Sequence, residues 1–439
     1  MILADRQSYE KKSKDELIDE IDKQMNEIER LKRELRRYKN SDTPPSANQH
    51  LKQDKPLAKT GCKRGAPKNH PGITRPWKIA DETRKITADE CPECHSHDVS
   101  IVGTRHQQVE EMPPDIKPTV VDVYRDVCKC NSCKLKFDAT DGRTPLQGRF
   151  GVNLMVLMIF LKFIVRGVLR KTSRFLEAGF ALQITPASVN AILSRAANAA
   201  ENEYEKLKRK IRVARIVYVD ETSFSVLGAK WWVWVFRSDS DVLLVIRHDR
   251  GNSVVKEVLT EAFNGIVVCD GWRAYDCLTL ADIQRCWAHL LRKSAELKSA
   301  PGKHFHKKLE RFFVSIKRFN RKPRTEKARL KKYARLTGEL QETIEYYSRY
   351  SACEGVTKYV RFRLDEWFTC VRLDDVEPTN NYAEQAIRET VMVRKIIGAF
   401  RSRGGVKVYE NLASLLATWQ FQQLDITKEL NRMLTKGLC

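Results

Sequence analysis

The sequence predicts a multidomain α+β protein whose largest domain is built on a mixed β-sheet. Three observations lead to this prediction: strand-like runs between residues 215 and 275, helix-forming sequence on both sides of them, and two CxxC pairs upstream. A chain of 439 residues, 42% of them hydrophobic, is long enough to bury two or three domain cores.

The chain is strongly basic, with 79 Lys and Arg residues against 56 Asp and Glu residues and a formal charge of +23. Such an excess favours a polyanionic partner, most commonly nucleic acid. A membrane is disfavoured, because we find no lipidation motif or secretory signal, and the apolar stretch 154–165 is too short to span a bilayer. We therefore expect a cytoplasmic, nucleoid-associated protein whose twelve cysteines are thiols or metal ligands.

Residues 1–40 are predicted to form a coiled-coil helix, because residues 15–39 have apolar residues at heptad spacing among Glu, Lys and Arg. The two core positions are occupied by Ile21, Ile28 and Leu35, and by Leu17, Gln24, Leu31 and Tyr38. The heptad predicts a homodimer or a higher homo-oligomer, with a lone surface helix as the alternative. Residues 41–80 are rich in Pro, Lys, Asn and Gly and are predicted to be a flexible basic linker.

Residues 81–147 are predicted to form a zinc ribbon. Two CxxC pairs, 35 residues apart, each present two thiolates on a tight turn, and two such turns can enclose a tetrahedral Zn²⁺. Residues 108–127 between them alternate as strands do. The predicted ligands are Cys91, Cys94, Cys130 and Cys133, with Cys128, His95 or His97 as alternative ligands. Redox-active or merely buried thiols are the competing interpretation.

Residues 148–210 are predicted to be helical and to resemble a helix-turn-helix DNA-binding region. One helix should end near Gly179, and Thr185 should cap a second helix with Pro186 at its first position. Helical hairpins that do not touch DNA share this pattern, so the DNA-binding role remains a hypothesis.

Residues 211–289 are predicted to form the first part of a ribonuclease-H-like core. Three strand-like runs joined by short turns are followed by an amphipathic helix, a buried strand ending in a carboxylate, and a short fifth strand. Residues 290–372 read as a basic helical insertion, and residues 373–439 as the second part of the core with the C-terminal helices. The insertion presents either a DNA clamp or an ordinary solvated face.

Three carboxylates are candidates for a metal site. Asp220 is expected to end the first strand and Asp270 the fourth, and these strands lie side by side in a ribonuclease-H-like sheet. Glu384, next to the apolar face of the helix predicted for residues 377–395, can complete the set. Three acidic oxygen donors in one place favour hard divalent ions, so Mg²⁺ or Mn²⁺ is expected there. Other acids nearby are taken as ordinary solvated carboxylates, with Asp374 or Asp375 as an alternative to Glu384: Glu221, Asp276, Asp374, Asp375 and Glu377.

At these residues the chain resembles the sixty-six-type insertion-sequence transposases, which carry an acidic DDE triad. The resemblance rests on the ordered blocks "DETSFSVLGAKWWVWVF", "CDGWRAYD", "CWAHLLRK", "PTNNYAEQAIR" and "VRKIIGAFRSRGG". It implies a transposase with a ribonuclease-H-like catalytic domain that cuts the 3′ ends of its own element and joins them to target DNA using Mg²⁺. The family triad falls on Asp220, Asp270 and Glu384, and its zinc cysteines fall on Cys91, Cys94, Cys130 and Cys133.

Several other side chains are candidate DNA contacts or packing residues. The predicted DNA-binding residues are Arg388, Arg394, Lys395, Arg401 and Arg403, with surface ion pairs as the alternative for Arg388 and Arg394. Packing is expected for Trp272 and Tyr275, a structural role for His289, and helix capping for Asn380 and Asn381.

Three functional hypotheses follow from these features. The first is a metal-dependent DNA strand-transferase acting on double-stranded DNA. The others are a catalytically inactive, transposase-derived DNA-binding protein, and a ribonuclease-H-like nuclease without strand transfer.

Overall fold

The computed structural model describes residues 79–109 and 116–439, together with four residues near the N-terminus. These four residues are helical, and Ile28 and Leu31 among them are exposed: Gln24, Glu27, Ile28 and Leu31. The remainder of the heptad and residues 41–78 of the predicted linker lie outside the described residues. The chain divides into two compact units, residues 1–116 and residues 117–439. The predicted ribbon therefore begins in one unit and ends in the other.

The predicted ribbon contains less sheet than its sequence pattern indicated. The strands are Val127–Lys129 (β1) and Lys136–Asp138 (β2), an antiparallel hairpin around the second CxxC pair. The expected strands within residues 108–126 are not formed in the described ranges 108–109 and 116–126. Alternation predicts a strand only where one face is buried, and Val120, Val121 and Tyr124 are all exposed.

Residues 148–210 are helical, as predicted. The apolar stretch forms a buried α-helix that continues into a π-helix, Phe160–Ile164. The α-helices of this region are Val152–Ile159 (α1), Leu169–Phe180 (α2), Pro186–Ala199 (α3) and Glu201–Arg212 (α4). Their apolar faces pack with those of the C-terminal helices against one face of the central sheet.

The turn between α2 and α3 has the predicted chemistry. Ala181 ends α2 in the left-handed conformation, with φ of 51°. The Ser188 amide donates to Thr185 Oγ1 over 3.1 Å, and Pro186 occupies the first helical position. Thr185 thereby satisfies one of the amides that every helix start leaves unpaired.

The central sheet is mixed, and its strands occur in the order that the sequence predicted. Its strands are Ile216–Val226 (β3), Ala229–Arg237 (β4), Val242–Arg247 (β5), Ile266–Cys269 (β6), Asp282–Arg285 (β7) and Ala399–Phe400 (β8). The spatial order is β5-β4-β3-β6-β7, with β4 antiparallel to both β3 and β5, and β6 parallel to both β3 and β7. The short β8 pairs with β3. This α+β arrangement is compatible with a ribonuclease-H-like fold.

The insertion is helical, as predicted, but it is not a separate body. Helix α5 (Asn252–Leu259) precedes β6, and the later helices are Trp287–Ala295 (α6), Ala300–Asn320 (α7), Glu326–Tyr347 (α8), Glu354–Arg361 (α9) and Thr369–Arg372 (α10). The buried Trp287 ring lies 5.8 Å from Trp367 and 5.5 Å from Phe368. These aromatics belong to the same buried cluster as one face of the sheet.

The last helices are Asn381–Ile397 (α11), Arg403–Phe421 (α12) and Ile426–Leu438 (α13). Helix α12 covers the edge strand β5 through side-chain hydrogen bonds. Every second amide of β5 donates to an α12 side chain, and each successive partner lies one helical turn closer to the start of α12. The bonds, of 3.0, 2.8 and 2.6 Å, join Val242 to Thr418, Leu244 to Ser414 and Ile246 to Glu410. The exposed edge that a sheet would otherwise present is thus closed.

Across the part of the chain that the structure describes, no helix combines the length and hydropathy needed to cross a bilayer.

Candidate active site

Asp220 and Asp270 lie level with each other on neighbouring parallel strands. Tyr218 of β3 pairs with Val268 of β6, and counting two residues onward along each strand reaches the two aspartates. Parallel strands lie about 4.8 Å apart, so the aspartates start from adjacent positions. Asp220 does not end β3, as the sequence suggested, because β3 continues to Val226 by pairing with β4. It is instead the pairing with β6 that stops just before Asp220.

Glu384 lies in the first turn of α11, which is fastened across β3 at several points. The buried Asn380 donates from Nδ2 to the carbonyl oxygen of Val219 over 2.7 Å. Arg237 donates to the carbonyl oxygen of Tyr382 over 2.9 Å, and Arg394 donates to Thr222 Oγ1 over 3.0 Å. These contacts begin one residue from Asp220 and hold the first turn of α11 over that part of the strand.

The pKa of Asp220 responds to its burial and to the charges of the acids near it. Burial, followed by the charges of Glu221, Asp270 and Glu384, raises the pKa of Asp220 to about 8. The Glu221 amide, which donates to Asp220 Oδ1 over 3.0 Å, opposes this increase. A carboxyl group whose pKa rises this far has too little positive charge around it. The site therefore favours either a retained proton or a bound cation.

Glu221 is buried, although the sequence indicated an ordinary solvated carboxylate. Its side chain is only 1% exposed, and Arg250 pairs with it over 2.8 Å. The buried Tyr275 hydroxyl donates to its other oxygen over 3.1 Å. Burial, with the charge of Asp270 as the next cause, raises the pKa of Glu221. Arg250 and Tyr275 thus bind a fourth acid, Glu221, which directly follows Asp220 in β3.

The turn that carries Asp270 is stabilised by hydrogen bonds from the buried Arg285. The Trp272 amide donates to Asp270 Oδ1 over 2.9 Å. Arg285 donates to the carbonyl oxygens of Asp270 and Trp272 over 3.1 and 2.8 Å, and pairs with Asp276 over 2.7 Å. Asp276, expected to be an ordinary solvated carboxylate, instead has a side chain only 18% exposed and is paired with the buried Arg285. Tyr275 is buried, as predicted, whereas Trp272 remains 41% exposed.

Glu384 faces α6, where three side chains surround it. Arg292 donates to Glu384 Oε1 over 2.8 Å, and His289 Nδ1 lies 3.7 Å from the same oxygen. One ligand atom each from Cys286, His289 and Glu384 lie within 4.8 Å of one another. Burial, followed by the charge of Arg292, lowers the pKa of His289, and burial raises the pKa of the Cys286 thiol. His289, expected to be structural, is therefore beside the triad.

The alternative acids for the third position are paired elsewhere. Asp374 forms an ion pair with Arg329, and Asp375 pairs with Arg215 over 3.2 Å. These contacts do not support either aspartate as a replacement for Glu384.

The predicted DNA-binding residues differ in their surroundings. Four of them have exposed side chains on α11 or near the start of α12: Arg388, Lys395, Arg401 and Arg403. Arg394 is partly buried and anchors α11 to β3, so its contact with phosphate stays a prediction. Asn380 is not used as the predicted helix cap, because its side-chain amide bonds to β3.

The two CxxC turns have the same backbone geometry. In each turn the first cysteine amide donates to the residue five positions later, Cys91 to Ser96 over 2.9 Å and Cys130 to Leu135 over 2.8 Å. In each turn the residue four positions after that cysteine, His95 or Lys134, has a positive φ. The Cys94 and Cys133 amides, respectively, lower the pKa values of the Cys91 and Cys130 thiols. The turns belong to different units, so a single ion bound by both remains a prediction.

Residues 147–408 match the family model described as "Transposase IS66 family". The chain is also similar to the uncharacterized protein y4qI of Sinorhizobium fredii, with 25% identity over 262 residues. That alignment covers 52% of this chain and 48% of y4qI, so the chain spans about half the length of this curated relative.

Proposed function

Because the chain belongs to the IS66 transposase family, we propose that it binds the ends of its own insertion sequence, cleaves them and joins the 3′ ends to target DNA. The observation that supports this proposal best is the surroundings of Asp220, where burial, followed by the charges of Glu221, Asp270 and Glu384, raises its pKa to about 8. In a strongly basic chain, an acidic pocket of this kind is well suited to metal ions that meet a phosphodiester.

The donor set fits Mg²⁺ or Mn²⁺. All three side chains offer carboxylate oxygens, the ligands that hard divalent ions prefer. Burial and the neighbouring negative charges, which together raise the pKa of Asp220, would be offset by positive charge among the oxygens. When bound, two such ions would activate a water or a 3′ hydroxyl and stabilise the leaving oxygen of the phosphodiester.

The chain's own residues set the geometry for this chemistry. Asp220 and Asp270 are held by strand backbone and by the Trp272 amide, while Asn380 ties the start of α11 to β3. Arg292 neutralises Glu384 at 2.8 Å and has a side chain 62% exposed, so it can turn towards a DNA phosphate when a cation replaces it.

The test is a nicking and joining assay with the full-length protein, Mg²⁺ and duplexes that carry the terminal repeats flanking its gene. Asp220→Asn and Glu384→Gln should each abolish nicking, whereas Asp239→Asn, an exposed acid in the β4–β5 turn, should cut as the wild type does. Normal cutting by either triad variant would eliminate this site assignment. Joining of pre-cut 3′ ends distinguishes a transposase from a nuclease, and binding without cutting would indicate an inactive DNA-binding derivative.

We also propose that the two CxxC turns bind one structural Zn²⁺ through Cys91, Cys94, Cys130 and Cys133. The shared backbone geometry and the lowered thiol pKa values support this set. In metal analysis of the full-length protein, Cys130→Ser should contain one Zn²⁺ fewer than the wild type, and Cys128→Ser should contain as much as the wild type. Loss in the Cys128 variant instead would transfer the ligand role to that residue.

The exposed arginines and lysine of α11 and the start of α12 are proposed to contact DNA phosphates, and the N-terminal heptad to dimerise the protein. Arg401→Ala should weaken DNA binding and reduce its salt dependence, as loss of a phosphate contact does. Light scattering of the full-length chain and of an Ile28→Asp variant tests whether the heptad holds the protomers together.

A further inference from the structure

We propose that Cys286, His289 and Glu384 form a second metal site, suited to Zn²⁺ or a similar borderline ion. Since the site uses Glu384, its occupancy would take that carboxylate from the proposed Mg²⁺ site and inhibit DNA cleavage. The metal site stands on its own geometry, and only the inhibitory consequence rests on the proposed function.

Two helix starts bring the ligands together. Cys286 directly precedes α6 and His289 lies in its first turn, while Glu384 lies in the first turn of α11. The Trp287 amide donates to the carbonyl oxygen of Pro378 over 3.0 Å, and the Asn380 amide donates to Cys286 Sγ over 3.2 Å. These two hydrogen bonds hold the ends of the helices side by side.

The ligand atoms are close to the spacing that a single ion requires. All three lie within 4.8 Å of one another, and His289 Nδ1 is 3.7 Å from Glu384 Oε1. Nitrogen and oxygen ligands at about 2.0–2.1 Å from a tetrahedral Zn²⁺ lie about 3.4 Å apart. Small side-chain rotations are therefore enough to close the set, with the fourth position left for water.

His289 provides a second, independent observation. Its Nδ1 atom is buried and has no hydrogen-bond partner within the described part of the chain. Buried polar atoms are nearly always hydrogen-bonded, so this ring nitrogen, 3.7 Å from Glu384 Oε1, is well placed for an ion bound between the two side chains. Neutral imidazole is also among the commonest metal ligands in proteins.

The chemistry of the three ligands selects against Mg²⁺. Thiolate and imidazole favour Zn²⁺ and related transition metals, whereas Mg²⁺ takes oxygen ligands almost exclusively. In the structure, the guanidinium of Arg292 provides the positive charge next to Glu384, at 2.8 Å from its carboxylate. Its side chain is 62% exposed and can move into solvent, so an incoming metal ion would exchange one positive charge for another.

The binding test is a Co²⁺ titration of the full-length protein, followed by its visible bands and its thiolate-to-cobalt charge-transfer band. Cys286→Ser, His289→Asn and Glu384→Gln are each compared with wild type, so the unchanged CxxC cysteines cancel in the difference. Matched controls are Cys277→Ser, a partly buried thiol elsewhere in the fold, and His304→Asn, an exposed histidine on α7.

Each of the three variants should either lose one equivalent of Co²⁺ or bind that equivalent with a reduced affinity. Loss of a residue that only supports a ligand reduces metal affinity roughly 10–100-fold, and loss of a ligand should reduce it further. The controls should bind as the wild type does. Equal stoichiometry and affinity in all six proteins would overturn the site. His289→Asn and Glu384→Gln alter partly exposed side chains, so they decide the question even if Cys286→Ser does not fold.

Inhibition is measured as the Zn²⁺ concentration that halves each protein's own Mg²⁺-supported nicking rate. This concentration should be at least tenfold higher for Cys286→Ser than for wild type and Cys277→Ser. Metal binding with unchanged inhibition would overturn the shared use of Glu384. Absence of nicking in every protein would instead count against the proposed function, while the cobalt titration would still decide the metal site.

Discussion

Replacing Asp220 with Asn should stabilise the metal-free protein, although it removes a proposed catalytic residue. Burial, followed by the charges of the neighbouring acids, raises the pKa of Asp220 to about 8, compared with an ordinary value of 3.8. Folding therefore opposes ionisation of this carboxyl group, which costs stability at any pH where the unfolded chain would ionise it. Asn has nearly the same shape, carries no charge and can still accept the hydrogen bond from the Glu221 amide.

The magnitude follows from the two pKa values. The raised native pKa means that the group destabilises the fold progressively as pH rises from about 4 to about 8, and not below that range. Each pKa unit corresponds to about 1.4 kcal/mol, so the variant should gain about 2 kcal/mol at pH 5 and about 4 kcal/mol at pH 7, as upper values. Mg²⁺ should then stabilise the wild type more than the variant.

Guanidinium unfolding, followed through tryptophan fluorescence between pH 4 and pH 8 without metal, measures this difference. The buried Trp234 and Trp287 report on the two sides of the sheet. Asp239→Asn, which alters an exposed acid, should show no pH-dependent gain. A variant that is no more stable than wild type at pH 7, or a difference that does not change with pH, would refute the clustering of negative charge around Asp220.

Three further predictions test the supports of the site. Ser414→Ala should lower the free energy of unfolding by about 1–3 kcal/mol, because it leaves the buried Leu244 amide of β5 unpaired. Ser348→Ala, at an exposed position, should have little effect. Equal losses of unfolding free energy in the two variants would contradict the hydrogen bond between Leu244 and Ser414. Gly271→Ala should destabilise the Asp270 turn by about 1–3 kcal/mol, because its Cβ would lie 1.8 Å from the Tyr359 hydroxyl. Adding Tyr359→Ala should recover part of that loss in thermal unfolding, and a strictly additive double variant would argue against the clash. Asn380→Ala should reduce Mg²⁺-dependent nicking in a folded protein, because α11 loses its bond to β3 beside Asp220; an unchanged rate would show that this bond does not position Glu384.

The strand order and the helical regions were predictable because each depends on local periodicity. The runs at residues 216–219 and 242–246 are apolar throughout, as expected of strands covered on both faces, and the structure buries them accordingly. Local cap chemistry was equally informative at Thr185 and Pro186. The same reasoning failed for residues 108–126, because alternation describes a surface that needs a partner, and the described residues of that stretch are largely exposed.

The sequence pointed to the acids of the candidate site, whose role stays a prediction, but it did not point to the residues that support them. Asp220 and Asp270 follow from strand order, since neighbouring parallel strands place equivalent positions side by side. Glu221 and Asn380 were misjudged because they lie one and four positions from Asp220 and Glu384, respectively, where sequence alone cannot tell which way a side chain points. The partners Arg250, Arg285 and Arg292 come from other elements, and their sequence shows only ordinary basic residues.

The sequence by itself determined the charge of the chain and the kinds and order of its elements, and it identified three acids as candidate site residues. These properties depend on composition and on repeats of two or about 3.6 residues, which are written in the chain. Tertiary structure alone decided that Glu221 is buried, that Arg292 pairs with Glu384, and that Cys286 and His289 share its carboxylate. Those contacts join residues up to about a hundred positions apart, and such pairs are brought together only when whole helices pack against a completed sheet.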